Sequence, residues 1–141
     1  MFRGVFEHTI DDKGRISLPS RFREILSGQD DHQLILTTHF SDSCLVAYPL
    51  SEWQQLEARL MAKPQHDRRI TRFKRLFIAP AIECSLDKHG RLIVPAVHRQ
   101  HAGLEREILW VGMINYLELW DRQTWQAVRE QSRTYAQENA E

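Results

Sequence analysis

The sequence has few cysteines and no segment typical of export or membrane insertion. Its 141 residues include only two cysteines, Cys44 and Cys84, and neither belongs to a Cys-x-x-Cys pair. We expect both thiols to pack as small hydrophobic side chains in a reducing cytoplasm, without a disulfide or a metal. The longest uncharged apolar run, residues 108–117, is too short to cross a membrane as a helix. Residues 1–12 lack the sustained apolar stretch of a secretory signal.

Signatures of common catalytic sites are lacking as well. The seven histidines are scattered, and the chain contains neither a His-Glu-x-x-His pattern nor a glycine-rich phosphate loop. His98 and His101 are three residues apart in a helical pattern, but no third metal ligand accompanies them. We therefore expect no enzyme, no cofactor and no small-molecule substrate.

A net charge is also missing, since 19 basic residues balance 19 acidic ones. Proteins that bind nucleic acid usually carry a basic surface, so the total weakly disfavours that class. The charges are segregated, however. Residues 59–79 hold seven basic side chains against one acid, a net of +6, whereas residues 27–58 hold five acids and no lysine or arginine. The overall charge therefore decides nothing about partners.

What the sequence does contain is an internal duplication. The segment "IDDKGRISLP" at residues 10–19 returns as "LDKHGRLIVP" at residues 86–95, at an offset of 76 residues. The likeness continues on both sides, with two slips of two residues in the loop-like region 27–43, where length changes are tolerated. The further matches are Glu7 with Glu83, Arg23 with Arg99, Leu45 with Leu117 and Trp53 with Trp125.

Each copy has the same predicted order of elements. A strand, a glycine turn and a second strand ending at proline are followed by a short helix, two more strands and a helix that carries a tryptophan. Ser20 and Ser51 are the predicted N-caps of the first two helices, and Gly103 is expected to end a third. Units of this size are too small to fold alone, so both must share one core. This pattern favours a mainly β protein with helices (α+β), built as a compact β barrel flanked by helices.

These motifs resemble a known DNA-binding family. "DDKGRISLP" and "DKHGRLIVP" are similar to the SpoVT-AbrB swapped-hairpin domain, and two copies in a chain that opens "MFRG" resemble the MraZ transcriptional regulators of bacteria. The likeness runs from Met1 to about Trp125 and includes "YPLSEW" and "ELWDRQTW". The expected parts are a first SpoVT-AbrB domain at 5–52, a helical linker at 53–80, a second such domain at 81–124, and a C-terminal helix and tail at 125–141.

The resemblance implies both an architecture and a role. The two units would form a double-psi-like barrel with pseudo-two-fold symmetry, and the chains would assemble into ring-shaped homo-oligomers. The protein would be a cytoplasmic, nucleoid-associated repressor with double-stranded DNA as its partner. It would bind short G-containing direct repeats ahead of its own operon, in the division and cell wall gene cluster.

The residues around each turn glycine have the chemistry that such a contact needs. An arginine directly follows the glycine, and its planar fork can bind guanine O6 and N7 in a bidentate manner. The aspartate across the turn can hold that fork in one orientation, and lysines suit phosphates. One departure is visible, because the second copy moves the lysine by one place and inserts His89. The predicted DNA-binding residues are Arg3, Lys13, Arg15, Lys88 and Arg91, and the residues that orient the turns are Asp11, Gly14, Asp87 and Gly90.

Several alternatives stay open. An arginine beside an aspartate is often only a solvated surface pair, although turn chemistry does not require that pair in both copies. The basic segment 66–77 is either a linker helix whose arginines face solvent or pair with the acidic region, or a second phosphate-binding surface. We expect the four tryptophans to be core or interface anchors. A different function, an oligomeric structural or protein-interaction scaffold without DNA binding, also fits the composition.

Overall fold

A computed structural model describes residues 1–29 and 33–140. The predicted loop residues 30–32, which include His32, and residue 141 of the tail lie outside the described residues. The described residues form eight strands: β1 (Val5–Thr9), β2 (Arg15–Ser17), β3 (Gln33–Thr38), β4 (Leu45–Pro49), β5 (Ile82–Ser85), β6 (Arg91–Ile93), β7 (Glu107–Gly112) and β8 (Leu117–Asp121). The helices are α1 (Ser20–Gly28), α2 (Leu50–Met61), α3 (Arg68–Phe73), which continues into a π-helical turn (Lys74–Ile78), α4 (Ala96–Ala102) and α5 (Arg122–Glu138).

The two sequence copies exchange their first strands. Six antiparallel strands form one sheet in the order β1-β7-β8-β4-β3-β5. Strand β1 of the first copy therefore lies beside the β7–β8 hairpin of the second copy. Strand β5 of the second copy likewise lies beside the β3–β4 hairpin of the first copy. The two hairpins meet in the middle, where Leu45 pairs with Leu119. Strands β2 and β6, one from each copy, form a separate two-stranded ribbon. The predicted α+β class with two pseudo-symmetric units is confirmed, and the barrel takes the form of two sheets around one core.

The core lies between the sheet and the ribbon and draws on both copies. Ile16 and Leu92 of the ribbon are almost fully buried there, together with Leu36, Trp110 and Leu119 of the sheet. The Trp110 indole Nε1–H donates a hydrogen bond to the Ser17 carbonyl at 3.0 Å, which ties the ribbon to the sheet. Burial of these side chains from two halves explains why neither copy is a complete folding unit.

The opposite face of the sheet is covered by helices. Trp53 of α2 and Phe77 of the π-helical turn pack over β3 and β4, and Trp125 of α5 packs beside buried Trp120 on β8. Strands β4 and β8 are therefore buried along their whole length, including the charged residues Glu118 and Asp121 of β8. Three of the four tryptophans are buried and the fourth is half-buried, which confirms the prediction that they anchor the core.

Two predicted helix starts are wrong. Helix α1 begins at Ser20 and α2 begins at Leu50, so both serines lie within the first turn and neither is the N-cap residue. The preceding prolines, Pro19 and Pro49, occupy the cap positions, because their restricted backbone ends a strand and turns the chain into a helix. Gly103 ends α4 in a left-handed conformation with φ of 60°, as predicted.

Both cysteines are buried, as predicted, and both are free thiols. Burial raises the pKa of the Cys84 thiol to about 11 and raises the pKa of Cys44 further, so neither side chain is a reactive thiolate at neutral pH.

Candidate nucleic-acid interface

The first glycine turn is closed by one carboxylate. The Asp11 side chain accepts hydrogen bonds from the backbone N–H groups of Lys13 at 3.0 Å and Arg15 at 2.9 Å. Its second oxygen accepts the Arg15 Nε–H at 2.7 Å. Gly14 completes the turn with φ of 81°, a conformation that side-chain-bearing residues rarely adopt. The same aspartate thus shapes the turn and orients the arginine.

The second turn repeats this geometry. Asp87 accepts the backbone N–H groups of His89 at 2.8 Å and Arg91 at 2.9 Å, and the Arg91 Nε–H at 3.1 Å. Gly90 has φ of 73°. Because the aspartate, glycine and arginine make equivalent contacts in both copies, the duplicated motif specifies one structural device used twice.

The turns are joined by the ribbon that the two copies build together. In its antiparallel register, Arg15 lies opposite Ile93, and Ser17 lies opposite Arg91. The Leu18 N–H donates to the Gly90 carbonyl at 3.0 Å, and the Val94 N–H donates to the Gly14 carbonyl at 2.8 Å, so each turn is attached to the strand of the other copy. The two turns therefore lie at opposite ends of one short ribbon.

Alternation along the ribbon puts both arginines on one side. Ile16 and Leu92 point into the core, which leaves the exposed side, here called the ribbon face, to Arg15, Ser17, Arg91 and Ile93. The arginine side chains are 39% and 35% exposed and line a groove of about 290 Å³ between the ribbon and β5. The ribbon face is an accessible surface with the two guanidinium groups at diagonally opposite corners.

Two further arginines pack behind the turns, and the sequence motif did not assign them a role. Arg99 of α4 lies against Gly14, and Arg23 of α1 lies against Gly90. The Nε atoms of both side chains are buried without a hydrogen-bond partner among the described residues. Their equivalence at the 76-residue offset is visible in the sequence, and that signal alone could have pointed to a shared structural role.

The two predicted lysines occupy different turn positions. Lys13 is equivalent to His89, and Lys88 is equivalent to Asp12, at the offset that aligns the glycines. Both lysines are exposed. Residues 11–15 have no net charge and residues 87–91 have a charge of +1, with histidine counted as neutral. The second end of the ribbon is therefore the more positive one.

Arg3 is not brought to the ribbon. It precedes β1, whereas the Asp11 turn follows β1, so the two lie at opposite ends of that strand. Arg3 packs its backbone beside Gly112 at the end of β7. It is exposed, and any contact it made with DNA would be separate from the turn.

Helix α3 and the π-helical turn, which contain most of the basic segment 66–77, have an apolar face and a basic face. Phe77 is buried and Phe73 is half-buried, whereas Arg68, Arg72 and Arg75 are exposed. Asp67 caps α3 by accepting the Arg69 N–H at 2.8 Å and pairs with the guanidinium of Arg69 at 3.0 Å. These arginines face solvent, an exposure that both the linker interpretation and a phosphate-binding surface require.

His98, one of the two histidines with helical spacing, has a structural place in the fold. It is buried, and its Nε2 lies 2.8 Å from the Pro80 carbonyl oxygen. Across residues 1–29 and 33–140 we find no group of three metal-ligating side chains. In the same part of the chain, none of the helices has the length and apolar character needed to cross a membrane.

The hydrogen bonds of each turn predict its response to acid. The Arg15 backbone N–H, followed by the Arg15 guanidinium, holds the pKa of Asp11 below its ordinary value of 3.8, and the Arg91 N–H does the same for Asp87. A lowered carboxyl pKa means that the turn's stabilisation is complete above the ordinary value and is lost as pH falls through the lowered one. We expect the Gly14 and Arg15 amide resonances to titrate with a midpoint below pH 3.8. Asp11→Asn should remove that transition, whereas a midpoint at or above 3.8 in the native chain would contradict the geometry.

Comparison with known proteins places the chain in one family. A family model described as "MraZ protein" matches residues 1–76 and again residues 77–141. The protein "Transcriptional regulator MraZ" of Shewanella violacea is 44% identical over 133 residues, which cover 94% of this chain and 88% of the relative. The protein of that name in Thioalkalivibrio sulfidiphilus is 41% identical over 93% of this chain and 87% of its own. The protein of that name in Serratia proteamaculans is 42% identical over 89% of this chain and 82% of its own. The resemblance drawn from the duplicated motif is confirmed, and the chain belongs to the MraZ family.

Proposed function

We propose that this protein is a sequence-specific DNA-binding transcriptional regulator that reads guanines with Arg15 and Arg91. The observation that carries the proposal is the duplicated aspartate–arginine turn at both ends of one exposed ribbon. An aspartate–arginine pair that only faced solvent would not have to recur at the equivalent position of both copies. The printed names of the similar proteins, which call them transcriptional regulators, support the same function.

The geometry suits readout in the major groove. A two-stranded ribbon fits that groove, and guanine offers O6 and N7 as adjacent acceptors there. Each aspartate accepts the arginine Nε–H, so a bidentate contact can use the N–H groups on Nη1 and Nη2. Because the fork is already oriented in the free protein, less side-chain entropy is lost on binding.

The lysines of the turns would supply phosphate contacts. Lys13 and Lys88 are exposed in the same turns as the arginines and would neutralise phosphates on either side of the groove. Arg3 would contribute a more distant phosphate contact. A chain with no net charge gains affinity for DNA when several copies engage neighbouring repeats. The protein would therefore act as a ring-shaped homo-oligomer.

The proposed regulatory role is repression of its own operon in the division and cell wall gene cluster. The protein would bind G-containing direct repeats upstream of that operon, as a cytoplasmic protein associated with the nucleoid. Repeated sites would let one assembly hold several ribbons on the same DNA, which raises the effective concentration of each contact.

Footprinting on the DNA upstream of the protein's own gene tests the proposal. We expect protection of G-containing repeats in one direction, with an affinity that falls as salt rises because phosphate contacts release counterions. A matched duplex of equal length with the guanines of the repeats replaced by adenines is the control. Equal affinity for both duplexes would contradict sequence-specific binding, and absence of binding at low salt would favour a scaffold without DNA binding.

A further inference from the structure

The two ends of the ribbon face are chemically different. Positions 17 and 93 are equivalent at the 76-residue offset, yet one is serine and the other isoleucine. The register sets Ile93 opposite Arg15 and Ser17 opposite Arg91. Each arginine therefore has a different neighbour across the ribbon, within the distance at which cross-strand side chains touch a common ligand.

Ile93 is an apolar side chain on an otherwise polar surface. It is 60% exposed, whereas Ile16 and Leu92, its neighbours in the ribbon, are almost completely buried. Ile93 also lines the groove that contains both arginines. Packing in the core therefore does not explain why an apolar side chain occupies this exposed position.

The major groove offers one apolar group to such a side chain. Thymine carries a C5-methyl group there, and the other base edges present hydrogen-bond donors and acceptors. An isoleucine that approaches the groove beside a guanine-binding arginine would bury its own methyl groups against a thymine methyl. Serine is too short and polar to gain from that contact.

We propose that Ile93 is a specificity-determining residue that packs against a thymine C5-methyl group next to the guanine contacted by Arg15. This inference rests on the proposed DNA-binding function. Ser17 gives the Arg91 end no such preference, so a ribbon with pseudo-two-fold symmetry recognises a sequence without that symmetry. The protein then binds each site in one orientation, which is compatible with the direct repeats of the proposed function.

The test removes the methyl group from the DNA and the side chain from the protein. An operator is selected by the native full-length protein from a pool of random-sequence duplexes, and each thymine is replaced in turn by deoxyuridine. We expect one replacement next to a required guanine to weaken binding about 4-fold, the value of burying one methyl group. Ile93→Ser should weaken binding to the thymine duplex to the same extent and should not distinguish thymine from deoxyuridine.

Three variants complete the design. Ile93→Val should retain the preference for thymine, and Val97→Ser, which removes another exposed apolar side chain outside the ribbon, should behave as the native protein. Ser17→Ile should create a second methyl-dependent position next to the guanine read by Arg91. Thermal melting of each variant checks that the fold is intact, as expected for exposed or half-buried positions.

The possible failures are distinguishable. If the pool yields no preferred sequence, the proposed DNA-binding function is wrong. If a preferred sequence emerges but no deoxyuridine replacement weakens binding, or if Ile93→Ser keeps the native preference for thymine, DNA binding stands and the role of Ile93 is wrong. A loss with Val97→Ser equal to that with Ile93→Ser would also overturn the assignment.

Discussion

Replacement of Arg15 and Arg91 together by alanine is expected to abolish sequence-specific binding while the fold remains intact. A bidentate arginine–guanine contact contributes about 1–3 kcal/mol of discrimination. If the two contacts are independent, the loss for the pair is about 30-fold to 10⁴-fold in affinity for the operator over unrelated DNA. Both side chains are more than a third exposed and outside the core, so the melting temperature and the size of the assembly should change little.

A matched control separates base readout from loss of charge. Arg68→Ala with Arg72→Ala also removes two positive charges, but from the exposed face of α3. That pair should retain the operator preference. Arg15→Lys with Arg91→Lys keeps the charge and loses the planar fork, so it should bind DNA weakly and without preference. Operator preference that survived the double alanine replacement in competition binding would end the guanine-reading assignment.

Gly14→Ala should destabilise the protein more than any conservative change on the ribbon face. A β-carbon on Gly14 would lie 2.5 Å from the backbone carbonyl oxygen of Val94, in a residue with φ of 81°. The left-handed conformation costs a non-glycine residue about 1–2 kcal/mol, and overpacking typically adds about 1–3 kcal/mol. We therefore expect the free energy of unfolding to fall by about 2–5 kcal/mol in urea titrations, by the sum of these two effects. DNA binding should weaken with it because the Asp11–Arg15 geometry depends on the turn.

Two other glycines calibrate that measurement. Gly28, at the end of α1, has open space around it, so Gly28→Ala should leave stability unchanged or slightly increased. Gly90→Ala meets the side chain of Arg23 rather than backbone, and that side chain can move, so the loss should be smaller than at Gly14. An unfolding free energy for Gly14→Ala equal to that of Gly28→Ala would show that the turn adopts another conformation in solution.

The aspartate–glycine–arginine turn could be predicted from sequence because its chemistry is local. Asp11 contacts residues two and four positions further along the chain, and the same spacing recurs at Asp87. The duplication also indicated that two incomplete units share a core. Such features depend on a few neighbouring residues, which a single sequence displays in full.

The partners of the ribbon and of the turns could not be predicted in the same way. The pairing of β2 with β6 joins residues about 76 positions apart, and nothing within either segment encodes the register that sets Ile93 beside Arg15. Arg23 and Arg99 contact glycines of the opposite copy for the same reason. The prediction of serine N-caps was wrong because Pro19 and Pro49, which precede the two helices, occupy the cap positions.

The exchange of first strands has a consequence for biosynthesis. Val5 of β1 pairs with Val111 of β7, so β1 acquires its neighbour in the sheet only after the whole segment between them has been translated. Formation of the six-stranded sheet is therefore late relative to the synthesis of β1. Until then, β1 presents an unpaired backbone edge, and two nascent chains held side by side on one messenger could each accept the other's strand.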